Sequence, residues 1–195
     1  EFAEAFYYVR SPSRVIDAEV FDRVVKAADG AALGTGTKMD YEIIHGVYEL
    51  LPNETLSRDM QANLEMVGGV PYTPEEKAFA EKIDRTLLGR PPAPENAAKV
   101  EPFDPTPLGS GGASTDVGDV SWTVPTVGLS AATWVPGTSA HSWQAVAAGG
   151  TSIGLKGMVV AAKTIALTAI DLFTKPELIA KAKAEFNERR GADFK

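Results

Sequence analysis

The spacing of hydrophobic positions changes along the chain, and the changes mark its elements. Ala5-Phe6-Tyr7-Tyr8-Val9 is β-branched and aromatic, and it stops at the turn cluster Ser11-Pro12-Ser13. That pattern predicts a strand over residues 5–10. Asp17 then stands as a helix N-cap. Val20, Phe21, Val24, Val25 and Ala28 come next as one apolar helical stripe, with Gly30 as its stop. From Thr37 to Leu51, Met39, Tyr41 and Ile43 alternate with Lys38, Asp40 and Glu42, the period of a half-buried strand. Residues 1–51 are therefore expected to run strand–helix–strand.

Helical spacing dominates the remainder of the chain. Asn53 caps a helix carrying Leu56, Met60, Leu64 and Val67, closed by Gly68-Gly69. Thr73-Pro74-Glu75-Glu76 is a capping box with proline at the first helical position, and its helix carries Phe79, Ala80, Ile83 and Leu87. Residues 89–113 are broken by prolines and glycines and predict a long functional or mobile loop. Residues 114–136 predict short strands and turns, with Val120, Trp122 and Val124 alternating. Residues 137–152 are small and polar around His141. A long apolar, alanine-rich helix is expected from Ser152 to Phe173, and Thr174-Lys175-Pro176-Glu177 opens a last one with Leu178, Ile179, Ala182 and Phe186.

Composition narrows the partners. The 195 residues are 44% hydrophobic, enough to build a core, and carry a net charge of -7. This acidic balance opposes binding to nucleic acid or to an anionic membrane surface. No uninterrupted apolar run reaches a membrane-spanning length of about 18 residues, so neither nucleic acid nor membrane is expected as a partner. The chain contains no cysteine, which excludes disulfides and thiolate metal sites and fits a cytoplasmic location. It opens without a signal-peptide pattern and directly in a strand-like run. The expectation is that a preceding portion is missing.

Candidate chemistry is sparse. There are two histidines. His45, beside Gly46, reads as an ordinary strand histidine. His141 lies in Gly137-Thr138-Ser139-Ala140-His141-Ser142-Trp143, where it is either a ligand or part of a loop cap. In the run Gly111 to Asp119, the carboxylates Asp116 and Asp119 either bind a cation or do acid–base work, or they satisfy local backbone donors as turn and cap formers. Arg10 ends an apolar strand, either as a charge leaving the core or as a planar donor fork for a carboxylate. Trp122, Trp134 and Trp143 lie near these loops, as core or as pocket wall. No nucleophilic serine motif and no phosphate-binding loop is present.

Taken together, three stretches resemble the aminoacylase/carboxypeptidase-type metallopeptidases (peptidase family M-twenty), in their amidohydrolase branch. Gly112-Ala113-Ser114-Thr115-Asp116 is similar to the family's glycine-rich loop. His141-Ser142, ahead of a long helix, is similar to its last metal-binding histidine. Phe6-Tyr7-Tyr8-Val9-Arg10 is similar to a lid strand ending in the arginine that holds the substrate carboxylate.

The resemblance covers essentially the whole chain and implies an α/β (α+β) fold. Residues 1–51 would be the second half of a ferredoxin-like lid or dimerisation domain. Residues 52–195 would be the C-terminal part of a zinc-peptidase-like α/β catalytic domain. The implied activity is metal-dependent hydrolysis of an amide bond next to a glutamate-like carboxylate, on a small substrate of aminobenzoyl-glutamate type. Two zinc (or manganese) ions would serve the complete enzyme, and His141 would ligate one. Arg10, Gly112, Ser114 and Thr115 would bind substrate, and a homodimer or heterodimer would form through the lid. The water-activating glutamate and the other metal ligands would all precede residue 1, so no catalytic group is assigned and the chain alone is expected to be inactive. The alternative is a non-catalytic module for dimerisation and small-carboxylate binding.

Overall fold

Helices form where an apolar 3.6-residue period coincides with a capping residue, and the long-range polar contacts then set how they pack. The computed structural model describes residues 2–105, 115–192 and 194. The chain divides into two units, Glu1–Pro52 with Thr106–Val124, and Asn53–Pro105 with Pro125–Lys195.

Among its described residues the first unit contains two helices. α1 spans Arg14–Thr35 and closes on Gly36, whose φ of 67° places it in the left-handed region that glycine tolerates. It starts earlier and ends later than expected. Asp17 lies inside its first turn, and Ala31-Ala32-Leu33, all good helix formers, carry it past Gly30. No residue of α1 is buried. α4 is the single turn Val117–Ser121. Residues 48–51 lie against it. The Tyr48 amide donates to Asp119 Oδ1 at 2.8 Å, and the Leu51 amide donates to Ser121 Oγ at 2.8 Å. Trp122 Nε1 donates to the Glu49 carbonyl at 2.8 Å. The Arg14 guanidinium covers both aromatic rings, 4.9 Å from Tyr48 and 4.3 Å from Trp122. Gly118 permits the approach, because a Cβ there would sit 1.8 Å from the Tyr48 carbonyl oxygen.

The second unit holds α2 (Glu54–Val67), α3 (Pro74–Asp84), α5 (Trp143–Gly149), α6 (Ser152–Thr174) and α7 (Pro176–Arg190). A 3-10 turn, Pro94–Ala98, interrupts the proline-rich stretch. Asn53 caps α2 through its Oδ1 and donates from Nδ2 to the Ala182 carbonyl on α7 at 2.8 Å. The capping box at Thr73 and Glu76 is fully formed. Ala80, Ile83, Val135, Ala148 and Ile153 make the apolar core, with Tyr72, Phe79, Leu87 and Trp134 packed against it. Burial and the nearby Glu76 carboxylate push the Tyr72 phenol up to about 12. α6 packs on α2, α5 and α7.

Glu76 has a second task besides capping. It accepts Ser152 Oγ at 2.6 Å and Lys156 Nζ at 2.6 Å, which ties α3 to α6. These hydrogen bonds, the Lys156 one first, hold its carboxyl down at about 2.

One expectation is overturned. Among the described residues there are seven α-helices and no strand, so the α/β (α+β) class does not hold, whether for a ferredoxin-like lid half or for a zinc-peptidase-like α/β catalytic portion. Alternation supplies a strand with a face, but a strand also needs a neighbour to pair its N–H and C=O groups. Residues 5–10 and 37–51 form no such ladder, and Phe6, Tyr7, Tyr8, Tyr41 and Ile43 are exposed. Of the alternating Val120, Trp122 and Val124, Val120 sits on the helical turn 117–121, Trp122 is its C-cap and Val124 lies just beyond it, so tertiary contacts override local propensity. By length and composition alone α6 is long and apolar enough to cross a membrane, with Lys156, Lys163 and Asp171 interrupting its apolar run.

Candidate functional site

His141 is the candidate best defined by local geometry. Val135 begins a tight turn, with the Thr138 amide donating to its carbonyl at 3.1 Å. Ser142 then caps α5, accepting the Ala145 amide at 3.2 Å and donating to the Ser139 carbonyl at 2.7 Å. His141 is caught between turn and cap with φ of 58°, and it is the non-glycine residue with positive φ among those described. Histidine visits that region at a cost of roughly 1–2 kcal/mol. Its side chain is exposed and makes no hydrogen bond among the described residues. It lines an open hollow of about 470 Å³ with Trp134, Ser142, Trp143, Ala145 and Val146. The volume falls in the range of small-molecule sites. Tyr72 donates its hydroxyl to the Trp134 carbonyl at 3.4 Å, which anchors one wall to the core. Thr138 Oγ1 is buried without a partner among the described residues.

The other candidates belong to the first unit or lie outside the described residues. Arg10 is exposed, its guanidinium 5.1 Å from the Tyr8 ring centroid. It has no ion pair among the described residues, which leaves its donor fork open to a carboxylate. Thr115 accepts the Val117 amide at 3.3 Å and so starts α4. Gly112 and Ser114 fall outside the described residues. Asp116 precedes α4 without capping it, and His45 is exposed. Asp119, read from sequence as a cation ligand, an acid–base group or a cap former, accepts the Tyr48 amide. The structure brings no hydrogen bond between Arg10 and the 115–119 stretch among the described residues, and His141 belongs to the other unit.

Sequence reading missed three partnerships: Arg14 with Tyr48 and Trp122, Ser121 with Leu51, and Glu76 with Lys156. None had a local signal, because the partners are separated by 34 to 108 residues in two cases and the third adds a contact to a residue already assigned as a cap.

Known proteins share much of this sequence. The chain is 34% identical to the B subunit of p-aminobenzoyl-glutamate hydrolase from Escherichia coli over 95% of its own length. It is 30% identical to the Xaa-Arg dipeptidase of Mus musculus, again over 95% of its length. The chain belongs to the aminoacylase/carboxypeptidase-type metallopeptidases. It spans 43% and 36% of these two relatives, less than half of either. No family model and no solved structure matches it.

Membership of this family raises the question of metal. No group of three or more histidine, aspartate or glutamate side chains capable of holding an ion exists among the described residues. A catalytic zinc takes three protein ligands and a co-catalytic pair takes more. His141 offers one ligand, so the described residues do not make a metal centre by themselves, and no chemical step is derived through one.

Proposed function

We propose that the chain contributes to an amidohydrolase that cleaves an amide bond next to a glutamate-like carboxylate, on a small substrate of aminobenzoyl-glutamate type. His141 supplies one ligand to a zinc (or manganese) site whose other ligands lie outside the described residues. Arg10 receives the carboxylate, with Thr115, Gly112 and Ser114 in the substrate-binding loop. The lid portion pairs with an identical or a different subunit. The observation carrying this reading is the left-handed backbone of His141 together with its unengaged, exposed imidazole. Strain kept at an exposed residue that makes no hydrogen bond among the described residues points to a functional demand on that residue. Family membership and the names of the two relatives support the same chemistry.

The absence of a metal-holding group among the described residues favours a second reading, a non-catalytic module for dimerisation and small-carboxylate binding. Elemental analysis with a hydrolysis assay separates the two. The first reading expects fewer than one ion per isolated chain and no turnover of aminobenzoyl-glutamate. It expects turnover when the portion the relatives carry outside the match is supplied, and loss of that turnover in His141→Gly. Carboxylate binding without turnover in either setting establishes the second. Two ions per isolated chain, with turnover, overturns the placement of the metal ligands.

A further inference from the structure

α6 is amphipathic in the reverse sense. Its buried side carries Gly154, Gly157, Thr164 and Thr168, with Ile153 at the start. Gly157 lies so close to the Ala132 carbonyl that a Cβ would come within 2.5 Å of it, and Thr168 receives a hydrogen bond from Asn63 Nδ2. The opposite side carries Leu155, Met158, Val159, Ile165, Ile170 and Phe173, all exposed, with Phe173 at 90% and Leu155 at 57%. The exposed residues Ala162 and Ala166 sit along the middle of that face. At 3.6 residues per turn the apolar positions span an arc of roughly 140°, and the helix is about 34 Å long. Large aliphatic side chains in water and small polar ones inside are the pattern of a helix with one of its two packing faces uncovered.

Three occupants present themselves, and the geometry separates them. A lipid environment all round is excluded by the buried side, which packs on α2, a helix bearing Glu54, Arg58, Asp59 and Glu65. A second copy meeting α6 against α6 would use a strip of about 34 by 10 Å from each, roughly 700 Å² in total, below the 1,200 Å² of a stable pair. An arc this wide suits a helix lying on an extended apolar surface, since a two-helix seam uses only a narrow stripe. The two relatives carry more than half of their length outside the matched stretch, enough for such a surface.

We propose that the outer face of α6 is an interface for the part of the hydrolase that the relatives carry outside the match. Leu155, Ile165 and Phe173 are its anchors, and the central alanines permit close approach. The inference rests on family membership and is independent of the proposed substrate.

The test is co-expression of this chain with the remaining portion of the bacterial relative as a separate polypeptide, followed by size-exclusion chromatography with light scattering. The expected result is a one-to-one complex, weakened at least tenfold by Ile165→Glu and by Phe173→Glu. Leu88→Glu, at a residue 97% exposed and outside α6, leaves the complex intact. Circular dichroism checks that each variant stays helical, as glutamate in an exposed helical position allows. A stable homodimer of the chain dispersed by Ile165→Glu overturns the proposal in favour of a second copy. Ile165-dependent binding to phosphatidylglycerol vesicles overturns it in favour of a lipid surface. No complex at all, or a complex indifferent to both α6 variants, overturns it outright.

Discussion

The two units are held together by different chemistry. In the second, Ile153 and Ala148 are fully buried in a shared apolar core, and buried polar residues such as Asn53 and Asn63 bridge helices. In the first, α1 buries nothing, and the described structure depends on side chains receiving backbone donors at Tyr48 and Leu51 beneath a stacked arginine. Apolar burial is cooperative and spread over many atoms, whereas a clasp of three hydrogen bonds is local and fails at a single point. Damage to the core should therefore unfold the second unit as a whole, and damage to the clasp should release only a segment of the first.

The largest effect expected from this contrast is at Ile153. Truncation by Ile153→Ala leaves a void among Ala80, Ile83, Val135 and Ala148, which should cost about 3 kcal/mol. Urea denaturation monitored by far-ultraviolet circular dichroism should show the loss as a lower midpoint with unchanged slope. An unchanged midpoint would mean that this core does not limit stability.

Gly118→Ala should come next, at about 2 kcal/mol, and with a different signature. The added methyl would meet the Tyr48 carbonyl oxygen at 1.8 Å, so residues 48–51 must leave α4. Hydrogen exchange should accelerate at the Tyr48 and Leu51 amides and stay unchanged at the amides of α2 and α6. Global destabilisation by this variant would erase the distinction between the units.

A third test uses acid. Glu76 has its carboxyl lowered from the usual 4.5 to about 2, chiefly by Lys156. A lowered folded value means that the stabilisation is complete above pH 4.5 and is lost as pH falls from there towards 2. Allowing for the partial exposure of Lys156, the loss should be about 2 kcal/mol. The Lys156→Met variant should be weaker at pH 7 and should show a shallower decline in urea midpoint between about pH 5 and pH 2.5. Parallel declines would mean that other carboxylates dominate.

The same contrast explains what the sequence made legible. Elements with their own caps were readable from local residues: Asn53 for α2, the Thr73–Glu76 box for α3, and the Pro176 start of α7. Elements defined by distant partners were not. Tyr41 and Ile43 alternate as strand residues do, yet no neighbouring ladder is present among the described residues. Asp119 has the surroundings of a ligand, and only the position of Tyr48 shows that it receives a backbone amide. His141 was legible as a candidate from its small-residue loop, but its left-handed backbone was not, because neither Ala140 nor Ser142 signals it.

That backbone supplies the smallest and most discriminating prediction. If His141 is held in the left-handed region by the turn before it and the cap after it, its imidazole contributes little to stability and its backbone carries a penalty. His141→Ala keeps the penalty. His141→Gly removes it, although glycine also frees the unfolded chain by roughly 0.5–1 kcal/mol. The alanine variant should therefore lie close to the wild type, and the glycine variant about 0.5–1 kcal/mol above both. Thermal denaturation of the three proteins side by side reads the difference. A glycine variant less stable than the alanine variant by about 0.5–1 kcal/mol would mean that residue 141 is not strained, and the case for a functional histidine would lose its main support. A wild type more stable than both by about 2 kcal/mol would assign the imidazole a structural role. The hollow beside Trp134 and Trp143 would then be a packing defect with no ligand to expect.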